Sequence, residues 1–533
     1  MKKSLSIYLS LFLTVLFFSC GETTPKKKTK RPNIVFIMSD DHAYQAISAY
    51  DTTLIQTPNI DRLAKEGVLF TNASVTNSIC APSRAVILTG KHSHINGKID
   101  NLSPFDTTNV TFPMLLQKAG YQTAMFGKLH FGNNPKGFDE FKILPGQGDY
   151  YNPRFVTKDG DTTITGYVTD ITTDLTLDWM EKRRDTAKPF LLMYLHKAPH
   201  RSWLPAARHY PEFTKNEYPP PETLFDKYQT RGDAAKTAEM GILKDMLLQY
   251  DLKVPSAVLD ELRISERLGA GGVARMNTEQ RAAWDSIYEP IAIDFMERYP
   301  ALNDSSLTVW KFQRYMQDYL GTIAAVDENV GRLLDYLDVE NLSQNTLIVY
   351  TSDQGFYLGE HGWFDKRFMY NESFKTPLLI RWPNVITPNT TEDELVQNLD
   401  FAQTFLAAAG VAAPKDMQGE SLLPLFKKEK DKWTRDAVYY HYYEYPAEHT
   451  VKRHYGIATK KYKLMHFYYD VDQWELYDLE KDPTETNNVY DALEYQDIVD
   501  EMKIKLTKTR ETYSDSKALD SLFIQQYQND VQD

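Results

Sequence analysis

Apolar residues in this chain fall into two patterns. Largely apolar runs of strand length recur at 33–38, 121–126, 189–195 and 345–350. A run without polar alternation suits a strand covered on both faces, as at the centre of a parallel sheet. Between the runs, apolar residues recur at three- and four-residue steps. That spacing predicts helices over 59–67, 112–119, 170–184 and, longest, 310–338, where Phe312, Tyr315, Tyr319, Ile323, Val326, Val330, Leu333 and Leu337 share a face. Shorter strands are expected at 68–70 and 377–381, and a closing helix at 400–409. From 433 to about 478 the pattern changes to short Tyr-rich strands, followed by a helix over roughly 492–512. The expected fold is α/β: a large mixed, mostly parallel sheet sandwiched by helices, with a small C-terminal α+β subdomain on a short antiparallel sheet.

The polar residues punctuate this pattern at one kind of place. All four runs end in titratable or amide groups: Ser39-Asp40-Asp41-His42, Gly127-Lys128-Leu129-His130, His196-Lys197-Ala198-Pro199-His200 and Ser352-Asp353-Gln354-Gly355. Parallel strands place their carboxyl ends along one edge, so groups more than 300 residues apart in sequence can converge there. Asp40, Asp41, Asp353 and Gln354 all offer oxygen, which suits a hard divalent cation and Ca²⁺ best. A softer metal would recruit histidine or thiolate. The segment 201–308, with Pro219-Pro220-Pro221 and scattered Tyr and Trp, interrupts the strand–helix alternation as an insertion near the site.

Composition narrows the picture. With 42% hydrophobic and 25% charged residues the chain is an ordinary folded protein. Met1-Lys2-Lys3 and the apolar stretch 5–18 make a signal peptide too short for a comfortable membrane span. Phe17-Phe18-Ser19-Cys20 resembles a bacterial lipoprotein lipobox, with Phe17 where Leu is usual. Cys20 would then be the lipidated first residue, tethering the protein to a membrane of the bacterial cell envelope. Lys2 and Lys3 leave with the leader and no acid does, so the net charge moves from −13 to −15. Such an acidic protein has no general attraction for polyanions, which argues against nucleic acid as a partner. The expected layout is a leader at 1–19, a tether at 20–31, a main domain at 32–430, a C-terminal subdomain at 431–515 and a tail at 516–533.

The chain has two cysteines. If Cys20 carries lipid, Cys80 has no disulfide partner in an exported setting, which points to chemistry at Cys80. Cys80-Ala81-Pro82-Ser83-Arg84, followed by Thr89-Gly90-Lys91, resembles the sulfatase signature. The strand-end motifs, the loop through Lys366 and the closing stretch 476–483 resemble the same family in the same order. Together they identify the chain as similar to the formylglycine-dependent sulfatases of the alkaline phosphatase-like superfamily, over most of residues 32–490.

The resemblance implies that Cys80 is oxidised to formylglycine (3-oxoalanine) by a formylglycine-generating or anaerobic sulfatase-maturing enzyme, and that its hydrated aldehyde attacks sulfur. It implies one Ca²⁺ per chain, held by Asp40, Asp41, Asp353, Gln354 and the modified Cys80. Gln354 stands where many members have Asn. Arg84 and Lys128 would stabilise the ionised diol and Lys366 would hold sulfate oxygens. His200, helped by Lys366, would protonate the leaving alcohol, and His130 would deprotonate the second hydroxyl so that sulfate leaves. His196 and His361 are either substrate contacts or structural histidines. Arg453 and His454 either reach a substrate sugar or form a surface pair. The expected substrate is a sulfated polysaccharide, of the algal ulvan type or a glycosaminoglycan. Two alternatives stay open: a phosphodiesterase or phosphonate monoester hydrolase of the same superfamily, and a glycan-binding lipoprotein with a dead site in which Cys80 remains a thiol.

Overall fold

The four apolar runs become the centre of a ten-stranded sheet. The computed structural model describes residues 31–266 and 271–532. The leader, Cys20 and the tether up to Lys30 lie outside the described residues. The sheet strands are β1 (Asn33–Ser39), β2 (Val68–Phe70), β3 (Gln122–Lys128), β4 (Glu140–Leu144), β5 (Arg154–Thr157), β6 (Gly160–Thr163), β7 (Phe190–Leu195), β8 (Thr346–Ser352), β9 (Leu378–Arg381) and β10 (Thr390–Glu392). Their order is β10-β2-β9-β8-β1-β7-β3-β4-β5-β6. The central strands β8, β1, β7, β3 and β4 run parallel, and β9, β2, β5 and β6 join through antiparallel pairings. The expected mixed, mostly parallel α/β sheet is therefore present.

Strand alternation divides the apolar runs between two cores. Ile34, Phe36 and Met38 of β1, with Met125, Leu191, Met193, Leu347 and Val349, pack under α1 (Cys80–Thr89) and a second helix bearing Phe401 and Phe405. Val35 and Ile37, with Phe126, Leu192, Tyr194, Ile348 and Tyr350, face α2 (Val168–Asp178) and the long helix carrying Val326, Val330 and Leu333. Each such fully buried side chain contributes about 1.5–3 kcal/mol. Gly127 lies where β3 and β7 approach most closely: a Cβ there would stand 1.7 Å from the Leu195 carbonyl oxygen, and its φ is +107°.

The insertion forms α3 (Thr278–Arg298), started by an Asn277–Gln280 capping box, and the long helix α4 (Asp304–Val339) follows it. Backbone bonds from Ile242 to Gly362 and from Phe364 to Met240 tie the insertion to the loop that carries Lys366. The small sheet is a meander of β11 (Val438–Tyr442), β12 (His454–Ala458), β13 (Tyr462–Phe467) and β14 (Gln473–Asp478), covered by α5 (Gln496–Thr512). Two expectations need correction. The helix expected over 170–184 stops at Asp178 and continues as a π-helical turn, Trp179–Arg183. Residues 516–533 are not a loose tail: Lys517–Gln532 is a helix, α6, anchored by the buried Arg510–Asp520 pair and by Phe523 against Tyr443. Leu519, Leu522 and Phe523 repeat at helical spacing there, a short pattern that the expectation of a tail passes over. Among the described residues no helix is long and apolar enough to cross a membrane.

Candidate active site

The site forms where the carboxyl ends of β1, β3, β7 and β8 meet the start of α1. Beyond β1 and β8 the chain delivers Asp40, Asp41, Asp353 and Gln354, all completely buried. Oxygens of Asp40, Asp41 and Asp353 all lie within 4.8 Å of one another. Cys80 is the first residue of α1, with its Sγ 4.0 Å from Asp41 Oδ1. The Ala81 N–H donates to Asn101 Oδ1 at 3.0 Å, and the Ser83 hydroxyl donates to the Asp353 carbonyl, so the first turn is clamped to the end of β8. Gly355 is required beside this clamp, because a Cβ would fall 2.1 Å from the Glu372 carbonyl oxygen.

Cations surround the carboxylates. Arg84 donates through Nε and Nη2 to Asp353 Oδ2 at 2.9 and 2.8 Å, and its Nη2 lies 3.1 Å from Asp40 Oδ1. Lys128 pairs with the other Asp40 oxygen and with the amide oxygen of Gln147. Lys366 Nζ donates to Asp41 Oδ1 at 2.5 Å. His200 Nε2 stands 3.7 Å from Asp41 Oδ2, while its Nδ1 lies 2.6 Å from the Arg201 carbonyl. A proton on Nδ1 satisfies that carbonyl and directs Nε2 into the site. His130, at the end of β3 with φ of 65°, completes the ring.

Electrostatics show strain that a dication relieves. Burial opposes ionisation of all three aspartates, yet Lys128, His200 and Arg84 hold Asp40 well below the usual carboxylate range. Asp41 is pushed up to about 7 by burial, against the pull of Lys366, with Asp40 and Asp353 adding to the rise. Asp353 is pushed up to about 6 by burial and by Asp40. Asp41 Oδ2 and Gln354 Oε1 are buried with no hydrogen-bond partner among the described residues. Two orphaned oxygens and crowded carboxylates fit a hard divalent cation such as Ca²⁺, and Cys80 and His200, with ligand atoms within 4.8 Å of Asp40, flank that oxygen set. As a thiol, Cys80 is disfavoured as a nucleophile, since burial raises it well above the ordinary cysteine value. Burial with the charge of Lys128 lowers His130 to about 2, and burial with Lys128 also lowers His200 well below the ordinary histidine value.

The remaining candidates sit elsewhere. His196 is fully buried against Tyr194, and the charges that act on it are Asp170 and His42 rather than the strand-end carboxylates. His361 is buried in a cage with Arg231, Asp226 and Glu372. Arg453 and His454 are not a surface pair: both are completely buried, Arg453 donating to the Tyr445 carbonyl and His454 packed on Phe467 and Tyr440.

Sequence reasoning missed the neighbouring wall. Asp365 and Arg367, flanking Lys366, pair at 2.9 Å. Arg367 reaches Glu444 at 3.1 Å, and Arg201 pairs with Asp251 at 2.7 Å and with Glu448 at 3.2 Å. His449 Nε2 stands 3.6 Å from Asp365 Oδ2. Glu448, 63% exposed, marks the open side of this wall. Lys197, between His196 and His200, is buried with its ammonium 4.7 Å from the Tyr150 ring. No spacing rule joins positions 201, 251, 365, 367 and 448. Only the adjacency of Asp365 and Arg367 to Lys366 was visible in the chain.

Comparison with known proteins agrees with this geometry. The sulfatase family model matches residues 32–411, and the model for the C-terminal region of N-sulphoglucosamine sulphohydrolase matches 359–512. The chain is 48% identical to an N-acetylglucosamine-6-O-sulfatase of Bacteroides thetaiotaomicron, over 97% of this chain and 92% of that one. It is 22% identical to an ulvan-active sulfatase of Formosa agariphila, over 94% and 86% of the two chains. A structure solved in complex with its substrate D-glucosamine-2-N,6-O-disulfate superposes with a TM-score of 0.88 at 49% identity, covering 92% of this chain and 99% of that one. With its signature cysteine set beside a buried carboxylate cluster on an alkaline phosphatase-like sheet, the chain belongs to the sulfatase family and is a sulfuric ester hydrolase.

Proposed function

We propose that the protein removes the 6-O-sulfate of a glucosamine residue, N-acetylated or N-sulfated, in a glycosaminoglycan-type saccharide. The convergence of Asp40, Asp41 and Asp353 beside Cys80, ringed by Arg84, Lys128, Lys366 and His200, carries the hydrolytic reading. The sugar is supported by the 48% identity to an N-acetylglucosamine-6-O-sulfatase, against 22% for the ulvan-active relative. The paired Asp365 and Arg367, next to the sulfate-binding Lys366, supply an acceptor and a donor for sugar hydroxyls.

Ca²⁺ held by Asp40, Asp41, Asp353 and Gln354 would neutralise sulfate charge and acidify the nucleophile. Conversion of Cys80 to formylglycine by a maturing enzyme would replace a disfavoured thiol with a hydrated aldehyde whose hydroxyl attacks sulfur. The chain's own residues account for the rest. Lys366 and Lys128 hold sulfate oxygens as negative charge shifts onto the leaving oxygen. Arg84 bridges Asp40 and Asp353 and fixes both carboxylates. His200, helped by Lys366, would protonate the leaving oxygen once its Nε2, bare in the resting tautomer, has taken up a proton, and His130 would accept the proton that releases sulfate. Acylation at Cys20 would hold the enzyme at the cell envelope, and loss of palmitate labelling in Cys20→Ala would test that.

The deciding experiment uses protein co-produced with a maturing enzyme and a panel of N-acetylglucosamine-6-sulfate, glucosamine-2-N,6-disulfate, a sulfated ulvan oligosaccharide and an aryl phosphate. Sulfate release from the two glucosamine esters, lost in Cys80→Ser, is expected. Release from the phosphate or ulvan probe alone would overturn the assignment, and a Cys80 peptide whose mass stays that of the thiol would refute the maturation.

A further inference from the structure

A second cation-lined cavity lies behind the catalytic centre, where the small sheet meets the main one. Its volume is about 160 Å³. Lys375, Lys460 and Lys463 line it with the amides of Asn72 and Asn371 and the hydroxyls of Ser74 and Thr459, and none of its lining residues is an acid. None of the residues placed in the catalytic machinery lines it either. Lys463 is fully buried and already satisfied, by Glu485 at 2.7 Å, the Met369 carbonyl at 2.8 Å and Asn371 at 2.9 Å. Lys460, at the exposed rim, is shared with Asp393 and Glu394 at 3.3 Å each.

Lys375 is different. Its ammonium donates to Asn72 Oδ1 at 3.3 Å, and no carboxylate lies within salt-bridge distance of it among the described residues. A largely buried ammonium with no carboxylate in contact is costly. Burial and the neighbouring Lys463 together pull Lys375 below the ordinary lysine value, against a partial offset from the more distant Glu485 and Glu372. An anion with several acceptor oxygens would remove that cost, since lysine, amide and hydroxyl donors converge on one small space. The space holds the equivalent of about five waters, enough for a tetrahedral oxyanion with part of its hydration.

We propose that this cavity binds sulfate, as the free ion released by the enzyme or as a sulfo group on a saccharide chain. The bound anion clasps the small sheet to the segment Asn371–Phe374. That segment in turn holds the active site, because the Ser373 carbonyl accepts from Gly355 N and the Ser78 hydroxyl, and the Ser373 hydroxyl accepts from Arg367 N.

The test counts sulfate bound to the full chain by equilibrium dialysis with radiolabelled sulfate. Lys366→Ala weakens sulfate at the catalytic centre and leaves the cavity, so one Lys375-dependent site is expected. In Lys366→Ala/Lys375→Gln its affinity falls about tenfold or more, and Lys375→Arg keeps it. Lys375→Gln alone leaves turnover of a small aryl sulfate unchanged. If the double variant does not fold, Lys366→Ala/Lys460→Gln, altered at the exposed rim, is expected to bind about threefold more weakly than Lys366→Ala. An N-sulfated, 6-O-unsulfated heparan-type tetrasaccharide separates the two sources. If it displaces the label in a Lys375-dependent way, the sulfo group is a ligand; if it does not while sulfate still binds, the free ion is. Equal sulfate binding with and without the Lys375 ammonium, or unchanged binding in the Lys460 variant where that one must be used, overturns the proposal.

Discussion

Asp41, His130, Asp365 and Arg367 hold φ at 66°, 65°, 75° and 98°, in the left-handed region that side chains other than glycine rarely adopt. Such conformations cost about 1–3 kcal/mol each and persist where surrounding structure over-determines them. Their clustering around one carboxylate group supports the site independently of its motifs, and it singles out Asp365 and Arg367, which no motif reading had selected. Two predictions belong to this scale. Lys366→Ala is expected to lower kcat about 10²–10³-fold, because in the proposed mechanism Lys366 would meet charge that develops during the reaction. Steady-state kinetics on the glucosamine ester would show it, and a change confined to KM would assign Lys366 to uniform binding. Arg367→Ala is expected to raise KM for the saccharide while leaving a small aryl sulfate little affected. Equal losses on both would make Arg367 part of the sulfate pocket rather than the sugar wall.

The elements were legible in proportion to how strongly packing imposed a period. β1, β3, β7 and β8 showed as largely apolar runs because both faces of each are buried. The long helix α4 showed because one of its faces packs on the sheet. The C-terminal α6 is half-exposed, with Leu522 open and, of its described apolar side chains, only Phe523 buried beside the Arg510–Asp520 pair, so packing imposes little period on it. Asp520→Ala leaves Arg510 without its bidentate partner and is expected to cost about 2–4 kcal/mol, read as a lower denaturation midpoint. No loss would mean that α6 docks through Phe523 alone. The turn bearing Glu360 supplies a pH prediction. Burial, with Glu372 beside it, raises Glu360 from 4.5 to about 7. The folded protein therefore keeps a proton that the unfolded chain has lost above pH 4.5, so this group makes stability fall as pH rises between about 4.5 and 7. Glu360→Gln removes the penalty and is expected to melt about 2 °C or more above the parent at pH 8 and level with it at pH 5. Identical pH profiles for the two proteins would refute the shift.

At the scale of the molecule, the sheet edge and the small domain build one site together. Tyr440 of β11 accepts from Ser78 N at 3.2 Å and donates to the Arg367 carbonyl, so the small sheet braces both the turn before Cys80 and the wall bearing Arg367. The carboxylates come from two strands more than 300 residues apart, so a divalent cation bound there would be a cross-link as well as a catalytic group. Removal of divalent cations with a chelator is expected to abolish turnover and lower the melting midpoint, with both restored by Ca²⁺. Full activity in the chelated protein would exclude the metal. The sequence by itself determined the α/β class, the strand ends that carry Asp40, Lys128, His200 and Asp353, and the placing of Cys80 in a sulfatase-like signature. Those features are local: burial on both faces sets an apolar run, and the signature residues are contiguous. Only the tertiary structure decided that His196, His361, Arg453 and His454 are buried away from the carboxylates, and that Asp365, Arg367, Arg201 and Glu448 form the adjoining wall. Such pairings join loops whose separation in the chain carries no period, and long-range packing alone brings them within hydrogen-bonding distance.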